Sequence, residues 1–417
     1  MHDALDHAID VYAERAVGFL EALVGAASVV GSEQAALEVF AREATSLGMD
    51  VERLPFADQQ PADPRAGVAQ CPERLGAARY QVLATTPGEG ALSLLLNGHM
   101  DVVPAETPAL WTTPPFQPQP RDGRLYGRGA ADMKSGFAVG VLALRALRDV
   151  APGLFATRRL GFVAVVEEEC TGNGTLHAIT AHGVVAPEVV VLEPTGLGLM
   201  VGGIGVLWVE IVVTTASGHA NAANSRPNAI DLAMRLIEGL RRWAASLGRS
   251  HPEAGLSDTP YAVNLGMLRS GDWISTVPSQ ATSGVRIGYP RSWDAEDAER
   301  EVRAVIAALA AAEPGLLMPP IVTLTGFRAK GYRLDDDSPL LRDLAAAHRD
   351  AHGTEAAAFM IASTTDARVY LRDFGIPAVC FGATGYNLHG IDEAVDLQSI
   401  VDAARTLSRF LLVRFTA

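Results

Sequence analysis

The chain has 417 residues, of which 48% are hydrophobic and 20% charged, so it is long enough to bury the cores of two domains. Its 48 acidic residues outnumber its 34 lysines and arginines, and the formal net charge is −14. This balance argues against a protein that holds nucleic acid or an anionic membrane by charge. We therefore expect a small molecule or metal ions as partners, and neither nucleic acid nor a membrane.

The first half of the chain alternates predicted helices and buried strands. Apolar residues at helical spacing predict two helices in the first 50 residues, the second one beginning near Ser32 and ending at Gly48. Buried strands are predicted at three apolar runs, 92–96, 160–166 and 189–192. A helical pattern at 134–150 separates the first two runs. This alternation is typical of an α/β fold.

From about residue 205 the order of predicted elements changes to β-α-β-β-α-β. The elements are, in order, strand 206–215, helix 228–247, strands 261–268 and 282–289, helix 293–312 and strand 321–325. This order is that of the split βαβ, or ferredoxin-like, unit, which can be inserted in a larger domain. Helix 341–352 and strand 378–381 return to the earlier pattern. We therefore predict a discontinuous domain, 1–204 and 320–417, with an inserted α+β domain at 205–319.

The cysteines and the N-terminal residues predict a reducing compartment. Cys71, Cys170 and Cys380 include no C-x-x-C spacing, so they indicate neither a disulfide framework nor a thiolate zinc site. The N-terminal residues include acids and histidines instead of the basic start and apolar stretch of a secretory signal. The longest near-continuous apolar run, 196–209, is shorter than the roughly 18 residues of a membrane span. We expect a cytoplasmic protein.

Several short segments near the ends of predicted strands carry side chains that bind metals. In chain order, the residues are His99, Asp101, Asp132, Glu167, Glu168, Glu169, Glu193 and His389. Three consecutive glutamates at the end of an apolar strand are costly without a cation nearby. Taken singly, His99 also fits a surface turn, and Asp132 also fits a helix N-cap.

Taken together, two histidines and three or four carboxylates match a two-metal hydrolase better than a structural zinc site, which is usually closed by four Cys or His ligands. The sequence contains no H-E-x-x-H, G-x-S-x-G or P-loop motif. The one-zinc protease, serine hydrolase and nucleotide-binding interpretations therefore have no support. Water held between two cations loses its proton more readily than bulk water, and an unligated carboxylate beside it can act as a general base.

Read in this order, the segments resemble the di-zinc family of acetylornithine deacetylase, succinyl-diaminopimelate desuccinylase, aminoacylase and glutamate carboxypeptidase. The similar segments are spread over nearly the whole chain: 97–104, 111–116, 122–129, 132–136, 167–169, 193–195, 218–219, 365–368 and 392–393. The resemblance implies a catalytic domain with a mixed sheet and helices on both faces. It also implies that the inserted domain is a lid through which the chain forms a homodimer.

The resemblance implies two zinc ions per subunit. Asp132 would bridge the two ions, His99 and Glu193 would bind one of them, and Glu169 and His389 would bind the other. Cobalt or manganese would suit the same nitrogen and oxygen ligands.

The resemblance also implies catalytic roles. The carboxylate of Asp101 would orient His99. Glu168 would be the general base when the last two acids of the run are aligned with the family, whereas a register slipped by one residue would make Glu167 the base and Glu168 the ligand. The bridging hydroxide would attack an amide carbonyl, and protonated Glu168 would return its proton to the leaving amine.

Three residues of the inserted domain resemble substrate-facing residues of the family. His219 resembles the lid histidine that stabilises the oxyanion, often across a dimer interface. Asn264 and Arg286 resemble substrate contacts, and an arginine fork suits a carboxylate. The alternatives are a structural histidine and strand-face charges paired with surface acids. Ala220 replaces a serine usual in the family, and the residues at 363–364 replace glycines.

We therefore predict a metal-dependent amidohydrolase that removes an acyl group from the nitrogen of an amino acid or related small amine, with an acetylornithine-like substrate as the first candidate. Alternatives within the same chemistry are a di-zinc carboxypeptidase or dipeptidase and an N-formyl-amine deformylase. A catalytically inactive metal-binding homologue is the alternative outside it, and the filled ligand and base positions disfavour it. A Pro-rich insertion at 57–79 could shape the mouth of the site or an oligomer contact.

Overall fold

The structure of the chain is a computed structural model that describes residues 1–56, 63–69 and 79–416. Its α-helices are α1 (His2–Gly25), α2 (Gln34–Ser46), α3 (Lys134–Val150), α4 (Pro152–Thr157), α5 (Asn173–Thr180), α6 (Ala229–Ser250), α7 (Ala295–Ala311), α8 (Pro339–His352) and α9 (Leu397–Thr416). In the part of the chain that is described, no helix has both the length and the apolar character needed to cross a membrane.

The strands divide among larger and smaller sheets. They are β1 (Asp50–Pro55), β2 (Tyr80–Thr85), β3 (Leu94–His99), β4 (Gln119–Arg121), β5 (Arg124–Tyr126), β6 (Leu160–Val165), β7 (Val189–Val191), β8 (Leu199–Gly203), β9 (Gly205–Thr214), β10 (Gly218–His219), β11 (Val263–Ser270), β12 (Thr276–Val277), β13 (Gln280–Tyr289), β14 (Ile321–Ala329), β15 (Tyr332–Arg333), β16 (Ala358–Ile361), β17 (Ala378–Cys380), β18 (Gly385–Tyr386) and β19 (Ala394–Asp396). Cys71 and most of the predicted insertion at 57–79 lie outside the described residues.

The largest sheet is mixed and has helices on both faces. Its order is β1-β2-β6-β3-β7-β17-β8-β15, with β16 also paired to β8. Strands β6, β3, β7 and β17 are parallel to one another, whereas β1, β2 and β15 run antiparallel to their neighbours. Leu94 and Leu96 pack with α1, α3 and α9, whereas Leu95 and Val163 pack with α5 on the other face. The predicted α/β class is therefore confirmed.

A second sheet, with the order β11-β13-β9-β14, is antiparallel throughout. Alternate residues of β9, such as Val209 and Ile211, are buried against α6 and α7. The chain order β9-α6-β11-β13-α7-β14 is the predicted ferredoxin-like order. Strand β14 pairs with β9 and lies beyond the predicted boundary at residue 319, so strand pairing associates it with the small sheet. The division into two domains otherwise stays a prediction.

The chain passes between the large and the small sheet at two places, which lie side by side. Only Ile204 separates β8 in the large sheet from β9 in the small one, and residues 330–331 separate β14 from β15. The pairing continues on both sides of the crossing, because β9 pairs with β14 and Gly203 pairs with Tyr332. The chain therefore enters and leaves the small unit through one two-stranded ribbon.

Helix α5 fits tightly beneath the end of β6. A methyl group on Gly174, the second residue of α5, would overlap the carbonyl oxygen of Val166. The absence of a side chain at this position lets the helix approach the strand end from which the glutamate run begins.

Replacing Gly174 with alanine should lower the free energy of unfolding by about 1–3 kcal/mol, because the added methyl group must displace backbone. Urea denaturation monitored by circular dichroism measures the change. Gly153 is a matched control, since it is the second residue of α4 and a methyl group added there would have no described atom within 4 Å. An equal loss of stability in Gly153→Ala would contradict the explanation.

Candidate active site

The carboxyl ends of parallel strands bring the predicted ligands to one edge of the large sheet. His99 is the last residue of β3 and lies in register with Val165, the last residue of β6. The glutamate run at 167–169 follows β6, and Glu193 follows β7. Because these strands run in the same direction, the residues that follow them converge at the edge where α/β proteins place their sites.

Asp132 lies between the two predicted histidine ligands. Its Oδ1 is 3.2 Å from Nε2 of His99, and its Oδ2 is 3.3 Å from Nε2 of His389. His99 Nε2 is also 4.0 Å from Oε1 of Glu193, and His389 Nε2 is 3.1 Å from Oε2 of Glu169. The side chains thus form two groups that share Asp132, the arrangement expected of a carboxylate that bridges two cations.

Asp132 does not act as the helix cap that its position before α3 also allowed. The N-cap residue of α3 is Met133, and the described structure contains no side-chain capping hydrogen bond there. Both carboxylate oxygens of Asp132 instead face the histidines.

The three glutamates of the run point in different directions. Oε2 of Glu168 is 3.8 Å from His99 Nε2, and Glu169 faces the other histidine. Glu167 is turned away, with φ at 63°, and its buried carboxylate forms an ion pair of 2.6 Å with Arg79. This geometry matches the register in which Glu168 and Glu169 face the cluster.

The Asp101 carboxylate lies closer to the amides of the glutamate run than to the imidazole of His99. Nδ1 of His99 is 2.8 Å from the backbone carbonyl oxygen of Asp101 and 4.0 Å from its carboxylate. The carboxylate accepts hydrogen bonds from the amides of Glu168 (3.2 Å) and Glu169 (3.0 Å). The backbone carbonyl of Asp101 is therefore closer to the imidazole than its carboxylate is, and the orienting role of Asp101 stays a prediction.

A buried ion pair between Arg128 and Glu393, which no sequence motif predicts, holds the Asp132 loop. Glu393 accepts hydrogen bonds from the amides of Ala131 and Asp132, both at 3.0 Å, and pairs with Nη1 of Arg128 at 2.6 Å. Nη2 of Arg128 also donates to the carbonyl oxygen of His389. One ion pair thus ties the loop of Asp132 to the loop of His389.

The charges of the cluster call for cations or protons. Burial alone would lower the pKa of His389, but Glu169 and Asp132 raise it to about 11. Burial raises the pKa of Glu193 to about 8 and that of Glu168 well above its usual range, although His99 opposes both shifts. Imidazole nitrogens and carboxylate oxygens are ligands that zinc, cobalt and manganese accept, so the donor set fits divalent ions.

The three predicted substrate-facing residues lie on the small sheet and its connections. His219 is exposed and accepts a hydrogen bond from the amide of Asn221, and none of its described contacts reaches the cluster. Asn264 and Arg286 are paired neighbours on β11 and β13. Arg286 donates to Oγ of Ser363 at 3.1 Å, which links the small sheet to the segment before Thr365.

Arg286 has no acidic partner among the residues that the structure describes. The described contacts of Arg286 therefore do not include the surface acid that the alternative interpretation, a charge paired on a strand face, requires. Burial lowers the pKa of Arg286. A half-buried cation without a counter-ion is suited to an anionic group of a ligand.

Comparison with known proteins gives the family. The profile described as Peptidase family M20/M25/M40 matches residues 95–413. The chain belongs to this family. Membership confirms the predicted resemblance and makes the chain a hydrolase of amide or peptide bonds.

Curated relatives of this M20 protein act on different acyl groups. A succinyl-diaminopimelate desuccinylase of Rhodospirillum centenum is 30% identical over 416 residues, covering 95% of this chain and 96% of the relative. An N-formyl-4-amino-5-aminomethyl-2-methylpyrimidine deformylase of Halalkalibacterium halodurans is 28% identical over 353 residues, covering 79% of this chain and 81% of the relative. Among solved structures, the M20 metallo-carboxypeptidase Sso-CP2 of Sulfolobus solfataricus has a TM-score of 0.72 at 18% identity, covering 96% of this chain and 99% of that one.

Metal uptake by this M20 protein should release protons and should weaken as the pH falls from about 8 to about 6. The raised pKa values of His389 and Glu193 mean that both ligands carry protons near neutral pH in the metal-free protein, and a metal ion must displace them. Calorimetry with Zn²⁺ in buffers of different ionisation enthalpy measures both effects. His389→Ala should release fewer protons, whereas His182→Ala, a change outside the cluster, should match wild type. Affinity independent of pH would contradict the prediction.

Proposed function

We propose that this M20 hydrolase removes a small acyl group from the nitrogen of an amino acid or a related small amine. The observation that carries the proposal is the position of Glu168, a buried carboxylate 3.8 Å from Nε2 of His99. A carboxylate beside a two-cation cluster has the position that a general base requires.

In the proposal, the cluster holds two zinc ions, with cobalt or manganese as substitutes. Asp132, His99 and Glu193 would hold one ion, and Asp132, Glu169 and His389 would hold the other. The ions supply positive charge that makes water more acidic and an amide carbonyl more electrophilic.

The residues of the chain move the proton. Glu168 takes a proton from the attacking water, and its burial, which raises the pKa of the carboxyl group, favours holding that proton. Glu168 then delivers the proton to the nitrogen of the leaving amine. Asp101 keeps Glu168 and Glu169 in place through their amides.

Arg286 and Asn264 are proposed to bind the substrate from the small sheet. The guanidinium of Arg286 is partly buried and its hydrogen bonds in the described structure go to Ser363 and Ala362 and to no acid, so it is available to a carboxylate. This supports an acyl amino acid, whose α-carboxylate would lie at Arg286 while its amide lies at the cluster. A carboxypeptidase substrate offers the same two groups and is the second candidate, supported by the likeness to Sso-CP2.

His219 is proposed to stabilise the negative charge that develops on the carbonyl oxygen. Because none of its described contacts reaches the cluster, this role requires either a closing movement of the small unit or a second copy of the chain that dimerises through the lid.

We also propose that the protein is located in the cytoplasm. Cys170 and Cys380 are buried free thiols, as suits a reducing compartment.

Glu168→Gln should lower kcat by at least the 10²–10⁴-fold that is typical of general acid–base catalysis, while metal content stays near that of wild type. The measurement is hydrolysis of N-acetyl, N-succinyl and N-formyl amino acids, N-formylated heterocyclic amines and dipeptides by the zinc-loaded protein. Glu188→Gln is the control, since Glu188 is ion-paired to Arg414 outside the cluster.

The same panel decides between the candidate functions. A preference for acyl amino acids over dipeptides supports the proposal, and a preference for dipeptides supports the peptidase. Full activity of Glu168→Gln would show that the base is another residue. A metal-loaded wild type that hydrolyses no member of the panel would favour the inactive homologue.

Arg286→Ala should raise KM for carboxylate-bearing substrates about 10-fold or more, because a charged hydrogen bond to the substrate contributes roughly 1.5–3 kcal/mol. The effect on an amide-capped analogue, which has no carboxylate, should be much smaller. Arg269→Ala is the matched control, since Arg269 lies on the adjacent strand β11 and is exposed. Equal losses for acid and capped substrates would contradict the role of Arg286.

A further inference from the structure

Three buried charged side chains, those of Glu33, Arg79 and Glu167, hold the turn formed by the glutamate run at 167–169, which we call the glutamate turn. They lie on the side of the turn away from the predicted metal ligands. Nη1 of Arg79 lies 2.6 Å from Oε1 of Glu167, and Nη2 of Arg79 lies 2.5 Å from Oε1 of Glu33. The side chains of Arg79, Glu33 and Glu167 are 4%, 1% and 0% exposed. The guanidinium also lies over the ring of Phe56, 5.0 Å from its centroid.

The carboxylates of Glu33 and Glu167 each have a further hydrogen-bond partner that fixes their position. Glu33 accepts a hydrogen bond from the amide of Gly31 at 2.7 Å. The carboxylate of Glu167 accepts one from the hydroxyl of Thr171 at 3.0 Å, and its backbone carbonyl accepts one from the amide of Gly172. Arg79 therefore joins two anchored segments that are far apart in sequence.

The backbone at Glu167 needs such an anchor. Its φ of 63° lies in the left-handed region, which a residue with a long side chain seldom adopts unless its surroundings impose it. The ion pair with Arg79 stabilises this conformation, because an extended backbone would carry the Glu167 carboxylate away from its buried partner. The direction in which Glu168 and Glu169 leave the turn depends on it.

The turn is also held from its other side. The carboxylate of Asp101 accepts hydrogen bonds from the backbone amides of Glu168 and Glu169. The segment that contains Asp101 is in turn joined to the segment that precedes Glu33. That join consists of a bridge between Val29 and Val102 and a hydrogen bond from Ser28 to the carbonyl of Met100. The glutamate turn is thus clamped between two supports that are connected to each other.

We propose that Arg79 is a positioning residue for Glu168 and Glu169, acting through Glu167 and Glu33. Arg79 and Glu33 precede residue 95, where the match to the family profile begins. The part of the inference that concerns Glu168 rests on the proposed function, whereas the part that concerns Glu169 rests on metal binding alone.

Arg79→Lys is the first test, because lysine keeps the charge but lacks the planar fork that bonds both carboxylates. In the zinc-loaded protein we expect kcat to fall about 10²-fold, the loss that a displacement of about 1 Å can cause, with little change in KM. Arg145→Lys is the matched control. Arg145 lies on α3, is also buried, and forms an ion pair of 2.6 Å with Glu43. Its kcat should equal that of wild type. Unchanged kcat in Arg79→Lys would overturn the proposal.

A triple variant keeps the test decisive if Arg79→Lys fails to fold. Glu33→Gln, Arg79→Gln and Glu167→Gln together leave no unpaired buried charge, which avoids the penalty of removing one partner alone. The folded triple variant should show the same loss of kcat, and full activity would overturn the proposal.

Guanidinium ion added to Arg79→Ala should restore part of the lost activity, whereas Arg145→Ala should not respond.

The absorption spectrum of Co²⁺ gives a measurement without substrate. Displacement of Glu169 should change the cobalt spectrum and weaken cobalt binding in Arg79→Lys but not in Arg145→Lys. An unchanged spectrum and affinity in Arg79→Lys would overturn the effect on Glu169. A wild type that hydrolyses no tested substrate would count against the proposed function only, because the cobalt measurement does not depend on turnover.

Discussion

Negative charge buried at the carboxyl edge of the central parallel strands is the constraint on which the rest of the structure depends. Carboxylates brought together away from water repel one another, and each must find a proton, a cation or hydrogen-bond donors. The chain meets this need in two ways. Arginines neutralise two of the acids, with Arg79 at Glu167 and Arg128 at Glu393, while Asp132, Glu168 and Glu169 face the two histidines.

The part of the fold and site that the sequence predicts is local in character. Each ligand near a strand end follows a continuous apolar run, so the sequence itself marks where the strand ends and the polar edge begins. The sequence predicts the small unit in the correct order because elements such as β9 and α6 have one buried and one exposed face. It also predicts helix α3 from its helical pattern at the observed bounds, 134–150.

What the sequence does not predict depends on contacts between distant segments. The partners Arg128 and Glu393 are 265 residues apart, and Arg79 and Glu167 are 88 apart, so no spacing pattern connects them. Helix α9 is not among the predicted elements, and most of its length is buried against α1, α3 and α8, which leaves little contrast between its faces. The sequence assigns the carboxylate of Asp101 to its neighbour His99, although the amides that occupy it follow the adjacent parallel strand.

The two-stranded ribbon between the sheets restricts how the small unit can move. A single flexible linker would allow rotation about many axes, but two paired strands resist sliding past each other, because sliding breaks their hydrogen bonds. Bending across the flat face of the ribbon keeps those bonds. The small unit is therefore attached through a connection that can bend about one axis but resists sliding and twisting.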